Sequence, residues 1–393
     1  MEIRKITRDE TKKYHRLSQY AFGSWQNKDI EEERINWMNP EECYVIIEDG
    51  EMISGLISHS LKQSVRGTVK KLSGIGNVAT YPEYRNKGCV KELFKYTFKE
   101  MKAVDQAVSM LQPFKESFYN KFGYVSTNRE INLKFHVDGI QHYLSKTPED
   151  WTVERKTGLS AQKEFNAFFF REAVNWHGMV ISDEIYQGFS EHLAKDTIYI
   201  LVKYKNDIKA VCCYKKQESV IRINNIFWQD IAARKVLFNF LARHRDQVGN
   251  FEMFIPMGTN FYSWFSDMKS QYELKMCEGP WMVRIIDIKS AFSDLKLISS
   301  SNVTMEVKDD MCDWNNGKYK LAVKDGKSNI SRCKQSSKAD VTGDIKGYSA
   351  LLYGALSLEE ICDKGWLQVN DSSIHKILQE WFPQLLLFNT FMF

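Results

Sequence analysis

Little in this chain points to a stapled, metal-built or membrane-spanning protein. Its 393 residues include only 7 prolines, and the eight cysteines are scattered from Cys43 to Cys362 without a Cys-x-x-Cys pair or a histidine at zinc-ligand spacing. That pattern predicts reduced, mostly buried thiols and no metal site. No run approaches the roughly 20 apolar residues that a spanning helix needs. The N-terminal Met-Glu-Ile-Arg-Lys-Ile-Thr-Arg-Asp-Glu is charged and lacks the apolar stretch of an export signal, so a cytoplasmic protein is expected, with no membrane partner. Charge of one sign is also missing. Lys and Arg number 54 against 50 Asp and Glu, a net charge of +4, which argues against a nucleic-acid-binding surface. Neither Gly-x-Gly-x-x-Gly nor Gly-x-x-x-x-Gly-Lys-Ser/Thr occurs, so the common dinucleotide and nucleoside-triphosphate loops are excluded.

What is present is a chain too long for one ordinary core and rich in aromatic residues (13%, with 10 Trp). Residues 1–150 read as alternating strands and helices. Arg8 to Phe22 is helical, opened by a capping box of Thr7 and Glu10. Two strands from Cys43 and Met52 form a hairpin across Asp49-Gly50. A strand at 72–80, a helix at about 88–103 and a strand at 107–111 follow. A short helix from Glu116 is closed by Gly123. Residues 151–285 repeat this order, with a hairpin at 197–215, a strand at 219–228, a helix at 231–243 and a strand at 251–256. Residues 286–393 change character: strands near 304, 317–326 and 339–345 precede helices at 347–354, 357–362 (Ser357 as N-cap) and 374–382.

The most informative segment is Gly76 to Cys89, Gly-Asn-Val-Ala-Thr-Tyr-Pro-Glu-Tyr-Arg-Asn-Lys-Gly-Cys. An extended run stops at Pro82, a polar turn ends in Arg85-Asn86-Lys87-Gly88, and a helix follows with Val90, Leu93, Phe94, Phe98 and Met101 on one face. A helix start offers free N–H groups and a positive dipole end. Gly88 lets backbone approach a ligand, and Arg85 and Lys87 add charge. The plain alternative is a solvated basic turn between a strand and a helix. In the second repeat the same position reads Gln229-Asp-Ile-Ala-Ala-Arg234. It lacks the glycine, and Asp230 would repel a phosphate.

Val78-Ala79-Thr80, Pro82 and Arg85-x-x-Gly88 resemble the coenzyme A motif of the GNAT acetyltransferases. The resemblance implies an α/β fold in which Val78, Ala79 and Thr80 pair by backbone with the pantetheine arm. Arg85, Asn86, Lys87, Gly88, Cys89, Val90 and Lys91 then wrap the pyrophosphate. Val90 stands where the family often has Gly or Ala. Together with the repeat and the third segment, which resembles the sterol-carrier-protein fold, the whole chain resembles the Eis-like N-acetyltransferases (Eis for enhanced intracellular survival). That likeness implies tandem GNAT domains, the second degenerate, and a sterol-carrier-like third domain, bounded at 1–150, 151–285 and 286–393. It also implies acetyl-CoA as co-substrate, a small-molecule or peptide amine as acceptor, and a homo-oligomer, hexameric by analogy.

Two residues carry the chemistry that the resemblance implies. Tyr119, in Ser117-Phe-Tyr-Asn-Lys-Phe-Gly-Tyr124, matches the family's general acid; a phenol is protonated at neutral pH and can donate to a departing thiolate. Its bland alternative is a structural tyrosine, the reading given to Tyr124. The base is the terminal carboxylate of Phe393, carried by the apolar tail from Leu385. A docked tail would desolvate that carboxylate and raise its pKa; the alternative is a tail that only seals an interface. The best-known members acetylate aminoglycosides and place an acidic residue just before the terminal Phe, where this chain has Met392. Asp29, Glu31, Glu32 and Glu33 form one charged run. Trp25, Trp37 and Trp176 are candidate pocket walls or core, and His177 is a candidate proton relay or a structural histidine. Two other classes compete: a lipid or sterol carrier, from the third segment, and an aminoacyl-tRNA-dependent transferase, which also pairs GNAT domains but relies on basic surfaces.

Overall fold

A computed structural model describes residues 1–23, 28–128, 130–181, 196–267, 272–277 and 280–390, without the side chains of 28–30 and 33. They form two compact units. The first holds Met1–Asn128, Val174–Ile181 and the described part of Gly279–Phe393; the second holds the described parts of Arg129–Ala173 and Ser182–Glu278.

The main sheet of the first unit runs in the order Glu2–Lys5, Cys43–Glu48, Glu51–Val65, Thr68–Thr80, Val108–Leu111, Met282–Ile285, Val125–Ser126, with Val180–Ile181 added to Glu51–Val65. The hairpin from Cys43–Glu48 to Glu51–Val65 turns at Asp49 and Gly50, both at positive φ (50° and 78°), the signature of a tight mirror-image turn. The first helix, Thr11–Phe22, follows a 3-10 turn whose Thr7 N–H donates to Glu10 Oε2 at 2.9 Å. The helix Cys89–Ala103 buries Leu93, Phe94, Phe98 and Met101 against the sheet, as its spacing predicts.

A five-stranded sheet follows, in the order Lys327–Arg332, Gly317–Lys324, Ser301–Lys308, Val341–Asp344, Leu367–Val369. It is not an independent layer. Val108, Met110, Val283 and Ile285 of the main sheet share one apolar core with Met305, Tyr348, Leu351, Trp381 and Phe382. A wholly buried ion pair ties the two sheets: Arg284 donates to both carboxylate oxygens of Asp309 at 2.8 Å. The same guanidinium lies 4.5 Å over the Phe98 ring and donates to the Phe122 carbonyl.

The second unit is a seven-stranded sheet, Tyr272–Met276, Glu130–His136, Asn250–Pro256, Val220–Trp228, Asp207–Gln217, Ile198–Tyr204, Trp151–Thr157, with the helices Gly158–Ala173 and Ile231–Ala242. The two repeats exchange strands. Glu130–His136 follows Val125–Ser126 in sequence but pairs in the second sheet, and Met282–Ile285 follows the second repeat but pairs antiparallel with Val108–Leu111 of the first. The eight cysteines are free; Cys43, Cys89, Cys212, Cys213 and Cys312 are buried. No helix among the described residues is long and apolar enough to cross a membrane.

Candidate active site

The site grows from one strand that parts from its neighbour. Thr68–Thr80 pairs parallel with Val108–Leu111 from Leu72↔Val108 to Ile75↔Leu111. Beyond Ile75 it stays paired only with Glu51–Val65, on its other side. There the register jumps from Gly76↔Ile57 to Ala79↔Gly55, so Asn77 and Val78 form a bulge. Asn77 sits at φ +50°, a left-handed conformation that Asn tolerates better than most residues. Side chains hold the bulged segment from outside. Tyr14 donates its hydroxyl to the Asn77 carbonyl at 3.1 Å, Ser54 donates to Ala79 O at 3.0 Å, and Arg85 Nε donates to Thr80 O at 3.2 Å. The structure thus places Val78, Ala79 and Thr80 on the splayed, bulged part of the strand.

The turn after it is a 3-10 segment, Pro82–Tyr84, then Arg85 to Gly88. Asn86 (φ +61°) and Gly88 (φ +82°) are both left-handed, and Gly88 caps the helix Cys89–Ala103 without any side-chain hydrogen bond to the first turn. A Cβ on Gly88 would meet nothing within 4 Å, so the backbone there faces open space. An uncapped helix start, an open glycine and the exposed Arg85, Asn86 and Lys87 suit a diphosphate. Lys87 Nζ rests 4.9 Å from the centre of the Tyr84 ring. Cys89 and Val90 turn inward toward the apolar cluster, which leaves their backbone N–H groups as what they can offer. Burial pushes the Cys89 thiol pKa up.

Tyr119 ends the short helix Glu116–Tyr119 and lies in the same apolar cluster as Val78, Val90 and Leu111. Its ring meets Phe94, Phe114, Phe118 and Tyr124 edge to face, at centroid distances of 5.1–6.3 Å. Tyr119 is buried, and no described residue hydrogen-bonds its hydroxyl. Tyr124 differs: it is wholly buried and its hydroxyl pairs with Ser109 Oγ at 2.7 Å. Burial raises both phenols above their ordinary value, so both stay protonated at neutral pH.

Phe393 and Met392 lie outside the described residues, as does Trp25. The tail leading to Phe393 is described to Thr390, and it is docked. The Asn128 side-chain amide accepts from Leu387 N–H at 2.6 Å and donates to Leu387 O at 2.9 Å. Phe388 N–H donates to His177 O, and Asn389 Oδ1 accepts from Val180 N–H. Leu387 packs so close to Gly178 that a Cβ there would fall 2.2 Å from Leu387 Cγ. Trp176 meets Phe388 at a tilt, with ring centres 5.4 Å apart. His177 accepts from Arg66 N–H through Nδ1 at 3.1 Å and meets Tyr353 O through Nε2 at 2.9 Å. Both ring nitrogens are therefore used, and His177 has a structural role. In the acidic run, Glu31 is half-buried and Glu32 exposed, while the side chains of Asp29 and Glu33 are outside the description. Sequence reasoning had no handle on Tyr14, Ser54 or Asn128, because each acts through a backbone group far away in the chain.

The second unit repeats the splay without the cradle. Val220–Trp228 pairs parallel with Asn250–Pro256 only from Val220↔Asn250 to Ile223↔Met253. Trp228 then meets Trp264 edge to face at 5.6 Å, and both touch Phe238. The following helix start is already occupied: Asp230 accepts from Ala233 N–H at 2.8 Å. A resident carboxylate stands where the first unit leaves free N–H groups.

Comparison with known proteins agrees with this architecture. Acetyltransferase (GNAT) domain models match residues 2–126 and 169–285, and a sterol carrier protein domain model matches 288–385. No curated protein matches the sequence. Among solved structures, a GCN5-related N-acetyltransferase from Anabaena variabilis superposes with a TM-score of 0.87 at 20% identity, covering 100% of both chains. A GCN5-related N-acetyltransferase from Kribbella flavida gives 0.84 at 14% identity, covering 100% of this chain and 98% of that one. Eis1 from Mycobacterium abscessus gives 0.81 at 14% identity, covering 100% of both. At these identities the likeness establishes the shared fold.

Proposed function

Since this chain is a tandem GNAT acetyltransferase with the fold of the Eis-like proteins, we propose that it moves an acetyl group from acetyl-CoA to a primary amine by direct attack. In this reading Val78, Ala79 and Thr80 pair with the pantetheine arm, and Arg85 to Lys91 hold the pyrophosphate. The amine nitrogen bonds to the thioester carbon, the carbon–sulfur bond breaks, and Tyr119 gives its proton to the leaving thiolate. The terminal carboxylate of Phe393 takes the proton released by the amine. The observation that carries the reading is the Tyr119 hydroxyl, which no described residue bonds, set in one apolar cluster with Val78 of the splayed strand and Val90 of the uncapped helix. The docking of Leu387 through Asn128 supports the part given to the tail.

The coenzyme site then belongs to residues 1–150, while 151–285 form a GNAT-like domain without one and 286–393 a sterol-carrier-like domain that delivers the tail. An aminoglycoside, a polyamine and a lysine side chain all fit the reaction; Met392 in place of an acidic residue weakens the case for a multiply charged acceptor. A homo-oligomer and a cytoplasmic setting carry over from the family. The test is thiol release from acetyl-CoA against a panel of aminoglycosides, polyamines and lysine peptides, for the free-ended protein and one extended at the C-terminus. Acetylation of one amine class, lost on extension while the melting temperature holds, is expected. Normal turnover by the extended protein removes Phe393 from the mechanism.

A further inference from the structure

Tyr14 is wholly buried on the helix Thr11–Phe22, yet its hydroxyl reaches a backbone carbonyl of the splayed strand. Gly55 makes room for it. A Cβ at Gly55 would lie 2.6 Å from Tyr14 Cε2 and 3.0 Å from the Tyr44 carbonyl, so the ring rests directly on the glycine. Gly55 is the register partner of Ala79, which puts the ring beside the bulge rather than elsewhere on the sheet. The carbonyl that Tyr14 holds is that of Asn77. It shares a peptide plane with the N–H of Val78, and in a planar trans peptide the two point in opposite directions. A bond that fixes the Asn77 oxygen therefore fixes the direction of the Val78 N–H. This control is needed here and not elsewhere on the strand. Asn77 and Val78 have no register partner on Glu51–Val65, so regular ladder bonding does not orient them.

We propose that Tyr14 is a positioning residue: its hydroxyl orients the Asn77–Val78 peptide so that the Val78 N–H polarises the thioester carbonyl. The proposal rests on the reading that acetyl-CoA lies along 78–80. Ser54 secures the Ala79–Thr80 peptide in the same way through Ala79 O, so the segment is held from outside on both sides of Val78. Burial pushes the Tyr14 phenol well above its ordinary value, so its proton is available across the working pH range. A hydroxyl suits the task because it orients the peptide without adding a charge next to the developing oxyanion.

The test compares the full-length protein with Tyr14→Phe. Binding of coenzyme A, turnover, melting temperature and the carbonyl stretch of bound [1-13C]acetyl-CoA without amine are measured. The wild-type band should be shifted to lower frequency than in solution. In Tyr14→Phe at least about half of that shift should vanish and kcat should fall about 10- to 100-fold. Coenzyme A, which lacks the acetyl carbonyl, should bind within about twofold of wild type, and melting should drop by only about 2–4 °C. Gly55→Ala, which displaces the ring from the other side, should move the band in the same direction. An unchanged band and kcat with only a lower melting temperature would show Tyr14 to be mere packing and overturn the proposal. If the wild type binds no coenzyme A, the coenzyme reading itself fails and takes this one with it.

Discussion

At the scale of single residues, the proposed function gives Tyr119 and Tyr124 different roles, and their hydroxyls differ in what they touch. If Tyr119 is the general acid, Tyr119→Phe should cut kcat by about 10²–10⁴-fold while coenzyme affinity holds. Tyr124→Phe breaks the bond to Ser109 and should cost about 1 kcal/mol of stability with kcat near wild type. Steady-state kinetics and urea unfolding on the pair decide the assignment; a reversed pattern would exchange the two tyrosines. His177 makes a pH prediction. Its Nδ1 accepts from Arg66, so the proton sits on Nε2, toward Tyr353 O. Burial holds its pKa down to about 4 from 6.5. The unfolded chain therefore takes up this proton first as pH falls. The contribution to stability is complete above pH 6.5, erodes between 6.5 and 4, and amounts to about 3 kcal/mol at most. Urea midpoints of His177→Asn should lose less across that window than those of wild type; equal losses would place the titration elsewhere.

At the scale of elements, two helix starts of the same fold diverge through one residue each. Gly88 leaves the first turn of Cys89–Ala103 uncapped, whereas Asp230 caps Ile231–Ala242 with its own carboxylate. That contrast was legible in the sequence, because glycine and aspartate have local conformational meaning. The hairpin at Asp49-Gly50 and the C-cap at Gly123 were legible for the same reason. The exchange of Glu130–His136 and Met282–Ile285 was not: period and turn chemistry locate a strand but say nothing of which sheet receives it. Nor was the pair of Arg284 and Asp309, whose members are 25 positions apart and bond without exposure to solvent. Removing one partner leaves a buried charge, so Arg284→Ala should destabilise the protein by about 3–5 kcal/mol. Replacing both by apolar residues should cost much less than the sum of the single changes. Chemical denaturation of the three variants checks this, and additive losses would mean that the two act independently.

At the scale of the whole molecule, the proposed function has the chain spend two copies of one fold on one coenzyme site. The second copy keeps the splayed strands, with Trp228 and Trp264 in contact and Asp230 capping the helix that follows. The third segment contributes core to the first sheet, with Tyr348, Leu351 and Phe382 packed into the apolar cluster of Val108 and Val283. It also brings the tail to Asn128 and Gly178. The order of the domains could be read from repeated patterning and a resemblance; the docking of the tail depends on side-chain-to-backbone bonds that leave no spacing signal. The central claim is that acetyl-CoA binds once per chain, at the turn after Thr80. Calorimetric titration of acetyl-CoA into wild type and Gly88→Asp, with melting curves for both, tests it most directly. The account predicts one site per chain in wild type and none in a still-folded Gly88→Asp; two sites per chain, or binding that survives the substitution, would contradict it.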